Sequence, residues 1–295
     1  MIYGKYSTLL ATGLDLKKIS DVISKSKNES QIEKNLGKAG KKYLERYRLW
    51  KKYKELTYSQ KLKEPILPII AAMPCVGKTT MAREVATAFG IGNVMGGDSF
   101  RAALREYIKK EEHPEFHTSV YESWKFFGKE NEENIIKGFE AQAKLVNQAM
   151  ERIVADRGLR DGESVVFEYL HFLPSQYNKE LLDHPSIIPI VLRLDSEKEH
   201  KKRIGERDRL MHFKGNSKRL FDALKYYRIM QEYQCKDAKK NGVPVVSTDN
   251  WNKAYDKILD VIFDRIKMLI ETKDLTEPEI VKKLHAERKA LSEKM

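Results

Sequence analysis

The stretch "AAMPCVGKTT", residues 71–80, decides the fold of this chain of 295 residues. It has the spacing of a phosphate-binding loop that ends in Gly77, Lys78 and Thr79. In such a loop the glycine lets the backbone approach a phosphate, the lysine meets the β- and γ-phosphates, and the threonine hydroxyl binds Mg²⁺. Ala72 stands where such a loop usually opens with glycine, and alanine is tolerated there if its φ is negative.

This loop predicts a site for ATP. Backbone N–H groups from Val76 onward are expected to point at the anion from a helix N-terminus, and the proline in the loop, which has no N–H, precedes these donors. The residues predicted to hold the nucleotide are Pro74, Cys75, Val76, Gly77, Lys78, Thr79 and Thr80. A turn containing Gly-Lys without a ligand is the alternative, but the apolar run before the loop and the helical pattern after it favour a nucleotide site.

Apolar runs alternate with helical segments along the rest of the chain. A helix is predicted from Lys78 to Phe89, and the predicted strands are "ILPIIAA", "GNVMGG", "ESVVFEYL", "IIPIVLRLD" and "VPVVST". Such alternation is typical of a parallel sheet with helices on both faces. We therefore predict an α/β fold of the P-loop NTPase class, with an adenylate-kinase-like five-stranded parallel sheet in the order 2-3-1-4-5 and a helical N-terminal extension.

Three regions are predicted. Residues 1–62 form a basic helical N-terminal region, with fifteen Lys or Arg against six Asp or Glu, so most of the net charge of +12 lies there. Tyr43, Tyr47 and Trp50 follow helical spacing and are expected to face inward. Residues 63–271 form the P-loop domain, and residues 272–295 a docked C-terminal helix opened by a capping box from Thr276 to Glu279.

The composition limits the function classes. Two cysteines, Cys75 and Cys235, spell out neither a disulfide framework nor a zinc site. No stretch is apolar enough for a membrane span. We expect a cytoplasmic protein that does not bind membranes.

Several acidic and basic residues are candidates for phosphoryl transfer, which requires positioning of two oxygens and neutralisation of charge. Asp98 follows the second strand and is predicted to orient or deprotonate the acceptor hydroxyl, with Arg101 one helical turn away to bind an anionic group. Asp98 as a helix N-cap is the alternative. Glu168 ends an apolar strand, where an acid can organise a magnesium ion together with Thr79; a purely structural acid is the alternative.

Three arginines are predicted to act on the phosphates. Arg203 and Arg207 lie four residues apart, on one helical face, and fit a lid that closes over the phosphates. Arg228 on a later helix is predicted to neutralise charge in the transition state. For the segment "DSEKEHKKRIGERDR", which carries Arg203 and Arg207, a solvated basic surface is the alternative.

The chain resembles the archaeal 2-phosphoglycerate kinases over nearly its whole length. The resemblance is carried by "YGKYSTLLATGLDLKKISDVI", "GGDSFRAALREYI", "HTSVYESW", "VVFEYLHFLP", "HKKRIGERDR" and "YYRIMQEYQCKDAKKNGVPVVSTDN", in that order. It implies an ATP-cone-like N-terminal region and transfer of phosphate from ATP, with Mg²⁺, to 2-phosphoglycerate. It also implies that His171 and His117 lie on the acceptor side. The family usually has glycine at the positions of Ala72 and Tyr169, so Tyr169 is expected at the acceptor pocket.

Two other functions fit the same residues. A polynucleotide or nucleoside kinase is favoured by the basic, aromatic-rich helix from Lys41 to Lys54, since aromatic stacking and phosphate contacts hold single strands. An ATP-binding regulator without an acceptor is the other, although the predicted set of Asp98, Glu168 and arginines argues against it. The expected partner is a small anionic substrate; nucleic acid is the less favoured partner, and the sequence does not indicate an oligomeric state.

Overall fold

A computed structural model describes residues 8–210, 217–272 and 275–292. Five parallel strands form one sheet in the order β2-β3-β1-β4-β5. The strands are β1 Leu67–Ala71, β2 Asn93–Gly96, β3 Val165–Tyr169, β4 Ile187–Arg193 and β5 Val245–Ser247. The predicted P-loop fold, strand count and strand order are confirmed.

Helices cover both faces of the sheet. They are α1 Leu16–Ser24, α2 Glu29–Ala39, α3 Lys41–Tyr58, α4 Lys78–Phe89, α5 Gly97–Leu104, α6 Glu132–Ile153, α7 Lys179–Asp183, α8 Glu197–Leu210, α9 Ser217–Asp222, α10 Leu224–Lys240, α11 Trp251–Glu271 and α12 Glu279–Ser292. Short 3₁₀ segments span Pro114–His117, Val120–Phe126 and Pro174–Gln176, and α6 continues into a π-helix at Val154–Arg160. None of the described helices is both long and apolar enough to cross a membrane.

The central strands are buried on both faces, which explains their unbroken apolar sequences. Side chains of β3 alternate between two core layers: Val166 packs with α4 and α11, whereas Phe167 and Tyr169 pack on the opposite face with α6. Glu168 therefore shares a face with the phosphate loop, and Tyr169 does not. The expectation that Tyr169 lies at the acceptor pocket is wrong.

Parallel register places the ends of β1, β2 and β3 side by side. Ala71 is opposite Tyr169, and Gly96 is opposite Glu168. The segments that leave these strands, the phosphate loop and the start of α5, consequently meet at one edge of the sheet, where ligands bind in open α/β folds.

The N-terminal helices pack in two ways. Helices α1 and α2 form a small apolar cluster of their own with Tyr47 of α3. The other end of α3 enters the main core, where the Trp50 ring stacks on Tyr53 at 5.2 Å and meets Phe89 edge-on at 5.0 Å. Helix α3 therefore packs against both the N-terminal helices and the main core. The domain boundary at residue 62 stays a prediction.

Arg46 of α3 is buried as well, at 3% exposure. Its guanidinium donates to the carbonyl oxygen of Thr12 at 2.9 Å and pairs with Asp256 and Asp260 of α11 at 3.0 and 2.6 Å. These two ion pairs connect the N-terminal region to α11, the helix that begins beside the phosphate loop.

Helix α12 docks through Val281 and Leu284, which are 1% and 3% exposed, near the π-helix. The predicted capping box from Thr276 is wrong in detail. The helix begins at Glu279, whose N–H donates to Oε2 of Glu180 at 3.2 Å, because docking supplies an acceptor that local sequence does not reveal.

Candidate active site

The phosphate loop connects β1 to α4 with two residues in the left-handed region, Cys75 at φ 62° and Gly77 at φ 114°. Ala72 is not among the described residues with positive φ, and its side chain is fully buried. An alanine therefore fits the opening position without strain, as predicted. The N-terminus of α4, which begins at Lys78, faces the cavity beside the loop.

Three side chains from outside the loop hold its backbone. Arg203 donates to the carbonyl oxygen of Val76 at 2.8 Å, and Thr248 at the end of β5 donates to the same oxygen at 3.0 Å. His200 donates from Nε2 to the carbonyl oxygen of Pro74 at 2.8 Å. Burial lowers the pKa of His200, which keeps the imidazole neutral. The loop is thus shaped by α8 and β5 as well as by its own glycine.

Glu168 joins the two functional side chains of the loop. Its Oε1 accepts a hydrogen bond from the Thr79 hydroxyl at 3.2 Å, and its Oε2 lies 3.4 Å from Nζ of Lys78. Although that ion pair is close, Oε2 is buried and accepts no hydrogen bond from the described residues. A buried carboxylate oxygen with a vacant lone pair, next to a threonine hydroxyl, fits the hard oxygen ligands that Mg²⁺ prefers.

A cavity of about 380 Å³ opens beside the loop. Cations dominate the charged residues of its wall, which are Lys78, Arg101, Arg203, Arg207, Arg219, Asp98 and Glu206. Apolar and aromatic side chains, among them Leu170, Tyr121 and Tyr227, form much of the remainder. A small cavity rich in guanidinium groups next to a phosphate loop is suited to an anionic molecule that receives phosphate.

Asp98 and Arg101 reach this cavity from the first turns of α5. The helix begins at Gly97, where a Cβ would lie 2.1 Å from Cβ of Tyr169. Only glycine permits this approach, so α5 starts close against β3 and Asp98 faces the phosphate loop across the cavity. Within the described part of the chain, Gly96 is the N-cap of α5 and no side chain forms a cap hydrogen bond there, so the N-cap alternative for Asp98 is wrong.

Ten predicted site residues meet in the cavity wall: Pro74, Cys75, Gly77, Lys78, Thr79, Thr80, Asp98, Arg101, Arg203 and Arg207. Val76 lies in the loop with a buried side chain, and Glu168 contacts Lys78 and Thr79. The structure therefore brings the phosphate loop together with Asp98, Arg101, Arg203 and Arg207.

Besides Val76 and Glu168, three predicted residues do not line the described part of the cavity wall. Nε2 of His117 donates to the carbonyl oxygen of Ile108 at 2.8 Å. His171 is 1% exposed and lies against the amide of Gln142. Arg228 donates to the carbonyl oxygens of Leu194 and Asp195 at 2.6 and 2.9 Å, where it secures the end of β4. Each side chain is turned away by a backbone or core partner.

Arg203 also differs from the expected lid residue. Besides Val76 it donates to the hydroxyl and the carbonyl oxygen of Thr248 at 3.1 and 2.8 Å, so it is anchored to the loop and the sheet. Arg207, one turn further along α8, lines the cavity, with Nη1 3.9 Å from Sγ of Cys75. The segment 211–216 that follows α8 lies outside the described residues.

Sequence reasoning missed Arg219 and the acidic Glu206 in the wall. Arg219 lies in the six-residue helix α9, which is too short to show a periodic pattern. Glu206 lies between the two predicted arginines of α8. Its place in the sequence, directly before Arg207, was the only indication that it is near the cavity.

Comparison with known proteins gives consistent relatives, while no family model matches the chain. The chain is 32% identical to the 2-phosphoglycerate kinase of Methanocaldococcus jannaschii over 253 residues, which cover 85% of this chain and 76% of that protein. It is 27% identical to the 2-phosphoglycerate kinase of Methanopyrus kandleri over 88% of this chain and 82% of that one. Mevalonate-3-phosphate 5-kinase of Thermoplasma acidophilum is 32% identical over 65% of this chain and 92% of its own.

These relatives are kinases of archaea, and the first matches 85% of the present chain at more than 30% identity. With the phosphate loop on a sheet of the expected strand order, the chain is an ATP-dependent phosphotransferase and belongs to the archaeal 2-phosphoglycerate kinase family.

Proposed function

We propose that this protein transfers the γ-phosphate of ATP to a hydroxyl of a small phosphorylated hydroxy acid, most directly 2-phosphoglycerate, which becomes 2,3-bisphosphoglycerate. The observation that carries the proposal is the cation-rich cavity in which Asp98 and Arg101 lie across from Lys78. A phosphorylated hydroxy acid offers one hydroxyl to an acid such as Asp98 and at least two anionic groups to the arginines.

On the donor side, the loop N–H groups and Lys78 would bind the β- and γ-phosphates. Thr79 and Glu168 would hold Mg²⁺, which supplies neutralisation of phosphate charge when bound. Oε2 of Glu168, which is buried and accepts no hydrogen bond from the described residues, supports this assignment. Arg203 keeps the loop in shape for the nucleotide rather than closing over it.

On the acceptor side, Asp98 would orient the attacking hydroxyl and accept its proton. Arg101 would bind an anionic group of the acceptor, since its guanidinium reaches the cavity and forms no ion pair within the described chain. Arg207 and Arg219 complete the cationic wall, where they would neutralise charge on the transferred phosphoryl group.

The relative that is a mevalonate-3-phosphate 5-kinase favours a second acceptor of the same chemical kind. Mevalonate 3-phosphate is also a phosphorylated hydroxy acid but has a longer, methyl-branched carbon chain. Val120, Leu170 and Leu220 give the cavity an apolar portion that would suit such a chain.

The nucleic-acid alternative loses part of its basis. Tyr47, Trp50 and Tyr53 of the basic helix are 6%, 5% and 5% exposed, so they are not available to stack on bases. A regulator would need affinity for ATP but no cavity for an acceptor next to the phosphate loop. The cavity beside the loop therefore favours the kinase over the regulator.

The test uses γ-labelled ATP with Mg²⁺ and, in separate reactions, 2-phosphoglycerate, 3-phosphoglycerate, glycerate, mevalonate 3-phosphate and a short RNA. The Lys78→Ala variant is the blank. Label that enters 2,3-bisphosphoglycerate from 2-phosphoglycerate, and is lost in Asp98→Asn while ATP still binds, supports the proposal. Label that enters only another acceptor, or no acceptor, overturns it.

A further inference from the structure

Arg101 of α5 and Arg105, the residue that follows this helix, share the same backbone acceptors. Arg101 Nη2 and Arg105 Nε donate to the carbonyl oxygen of Phe116 at 3.2 and 3.0 Å. Both also donate to the carbonyl oxygen of Thr118, Arg105 at 2.7 Å and Arg101 through a short contact. The two guanidinium groups are therefore held together by one turn of backbone, residues 114–118.

This cation pair has no carboxylate partner within 4 Å among the described residues. Burial, followed by the charge of Arg105, lowers the pKa of Arg101 to about 10, and Nε of Arg101 is buried with no acceptor among the residues that the structure describes. A buried cation next to another cation is unfavourable unless an anion joins it. The pair is poised for an anionic ligand in the cavity that Arg101 lines.

The backbone turn that holds the pair is itself held by one amide side chain from α6. Gln142, fully buried, donates from Nε2 to the carbonyl oxygen of Glu115 through a short contact and to that of Thr118 at 3.3 Å. The same Thr118 oxygen receives Arg101 and Arg105. Gln142 thus contacts the oxygen that accepts from both guanidinium groups.

A histidine sets the orientation of this amide. Nε2 of His171 donates to Oε1 of Gln142 at 3.3 Å, which leaves the NH₂ group directed at the carbonyls. His171 stacks on Phe139 with ring centres 6.2 Å apart. Burial, and then the charges of Arg101 and Lys78, hold its pKa well below the usual range, so it adds no third positive charge.

We infer that Gln142 is a positioning residue for acceptor binding, which fixes the Thr118 carbonyl and through it Arg101, the member of the pair that lines the cavity and binds an anionic group of the acceptor. The inference rests on the proposed function, in which Arg101 contacts the acceptor. Arg101 reaches the ligand, whereas Gln142 and His171 act through it. A displacement of about 1 Å in such a support can cost a large factor in activity.

The first test is a double-mutant cycle of Gln142→Met, which keeps the side-chain length, and Arg101→Lys. The KM for the acceptor is expected to rise about tenfold in Gln142→Met, while the KM for ATP changes less than about twofold. A rise in KM of this kind is expected when a contact is lost that stabilises the bound substrate and the transition state equally. The double variant is expected to be no worse than Arg101→Lys, because both act on one group. Additive effects, or equal rises in both KM values, would overturn the inference.

The second test does not require a known acceptor. With the phosphate loop occupied by a non-hydrolysable ATP analogue and Mg²⁺, inorganic phosphate is expected to raise the melting temperature of the wild-type protein and of Gln148→Met, a change at an exposed position on the same helix. Gln142→Met is expected to keep the shift from the analogue and lose the shift from phosphate. If Gln142→Met does not fold, His171→Phe, which keeps a ring against Phe139, replaces it.

The two tests separate the possible failures. If the wild-type protein phosphorylates no acid but shows the phosphate shift, the proposed function fails and the role of Gln142 is still decided by the second test. A wild-type protein without the phosphate shift, or a Gln142→Met variant that retains it, overturns the inference.

Discussion

Arg203 of α8 donates a hydrogen bond of 2.8 Å to the carbonyl oxygen of Val76, so the arginine expected to close over the phosphates instead supports the loop that binds them. Thr248 at the end of β5 contacts the same oxygen and two donors of the same guanidinium. The loop, helix α8 and strand β5 are therefore one hydrogen-bonded unit, and the shape of the nucleotide site depends on contacts more than 100 residues away in sequence.

Arg203→Ala is expected to disturb the structure of the phosphate loop and ATP binding rather than the phosphoryl-transfer step itself. The loss of charge-assisted bonds to Val76 and Thr248 is expected to lower the free energy of unfolding by about 3 kcal/mol. The dissociation constant for ATP is expected to rise about tenfold, because the loop N–H groups lose their alignment. Urea unfolding and nucleotide titration measure both. Lys202→Ala, on the same helix with a side chain 63% exposed, is the control; a normal ATP affinity in Arg203→Ala would contradict the supporting role.

Glu168→Gln is expected to change the magnesium requirement rather than the fold. The amide keeps the size of the side chain and an acceptor for Thr79, but it removes the charge beside Lys78. The rate at limiting Mg²⁺ is expected to fall by about 100-fold and to recover in part at high Mg²⁺. Magnesium titrations of the reaction rate check this against Glu163→Gln, which alters an acid before the start of β3 that pairs with Arg157. An unchanged magnesium dependence would remove Glu168 from the metal site.

Local sequence patterns predicted the framework well because they depend on neighbouring residues. The spacing of Gly77, Lys78 and Thr79 and the unbroken apolar strands were enough for the loop and for the order of the sheet. Side-chain direction beyond the strand ends was harder to predict. His171 and Arg228 are turned away from the cavity by Gln142 and by the carbonyl oxygens that follow β4, partners that only the packed structure brings near.

Acidification is expected to destabilise the protein through buried histidines. Burial and the nearby charge of Arg265 lower the pKa of His184 to about 4, whereas an unfolded histidine has a pKa of about 6.5. Between these values the unfolded chain binds more protons, so the free energy of unfolding falls as the pH drops from about 6.5 towards 4. His171 and His200 shift in the same direction.

His184→Asn tests this dependence. Its Oδ1 can replace Nδ1 of His184, which accepts from the N–H of Ser186 at 3.2 Å, but it does not titrate. Unfolding measured from pH 7 to pH 4.5 is expected to show a shallower fall in stability for this variant than for the wild-type protein or for His285→Asn, a change at an exposed histidine. Parallel curves for all three proteins would show that His184 is not responsible.

Gly77→Ala is expected to be the most damaging single change in the loop. Its φ of 114° lies in the left-handed region, and a Cβ would lie 2.7 Å from Cζ3 of Trp251 at the start of α11. Strain and overpacking together are expected to cost about 3 kcal/mol of stability and to abolish ATP binding, since Trp251 is itself held by Glu84 at 3.2 Å and cannot withdraw freely. Gly90→Ala is the matched control, because its φ of 66° also favours glycine while no atom of the described residues lies within 4 Å of the position of its Cβ. The Gly90→Ala variant is expected to lose about 1 kcal/mol of stability and to bind ATP normally. A comparable loss of stability in Gly77→Ala and Gly90→Ala would contradict the prediction. It would show that position 77 requires glycine because of its backbone conformation alone, and not because of the contact with Trp251.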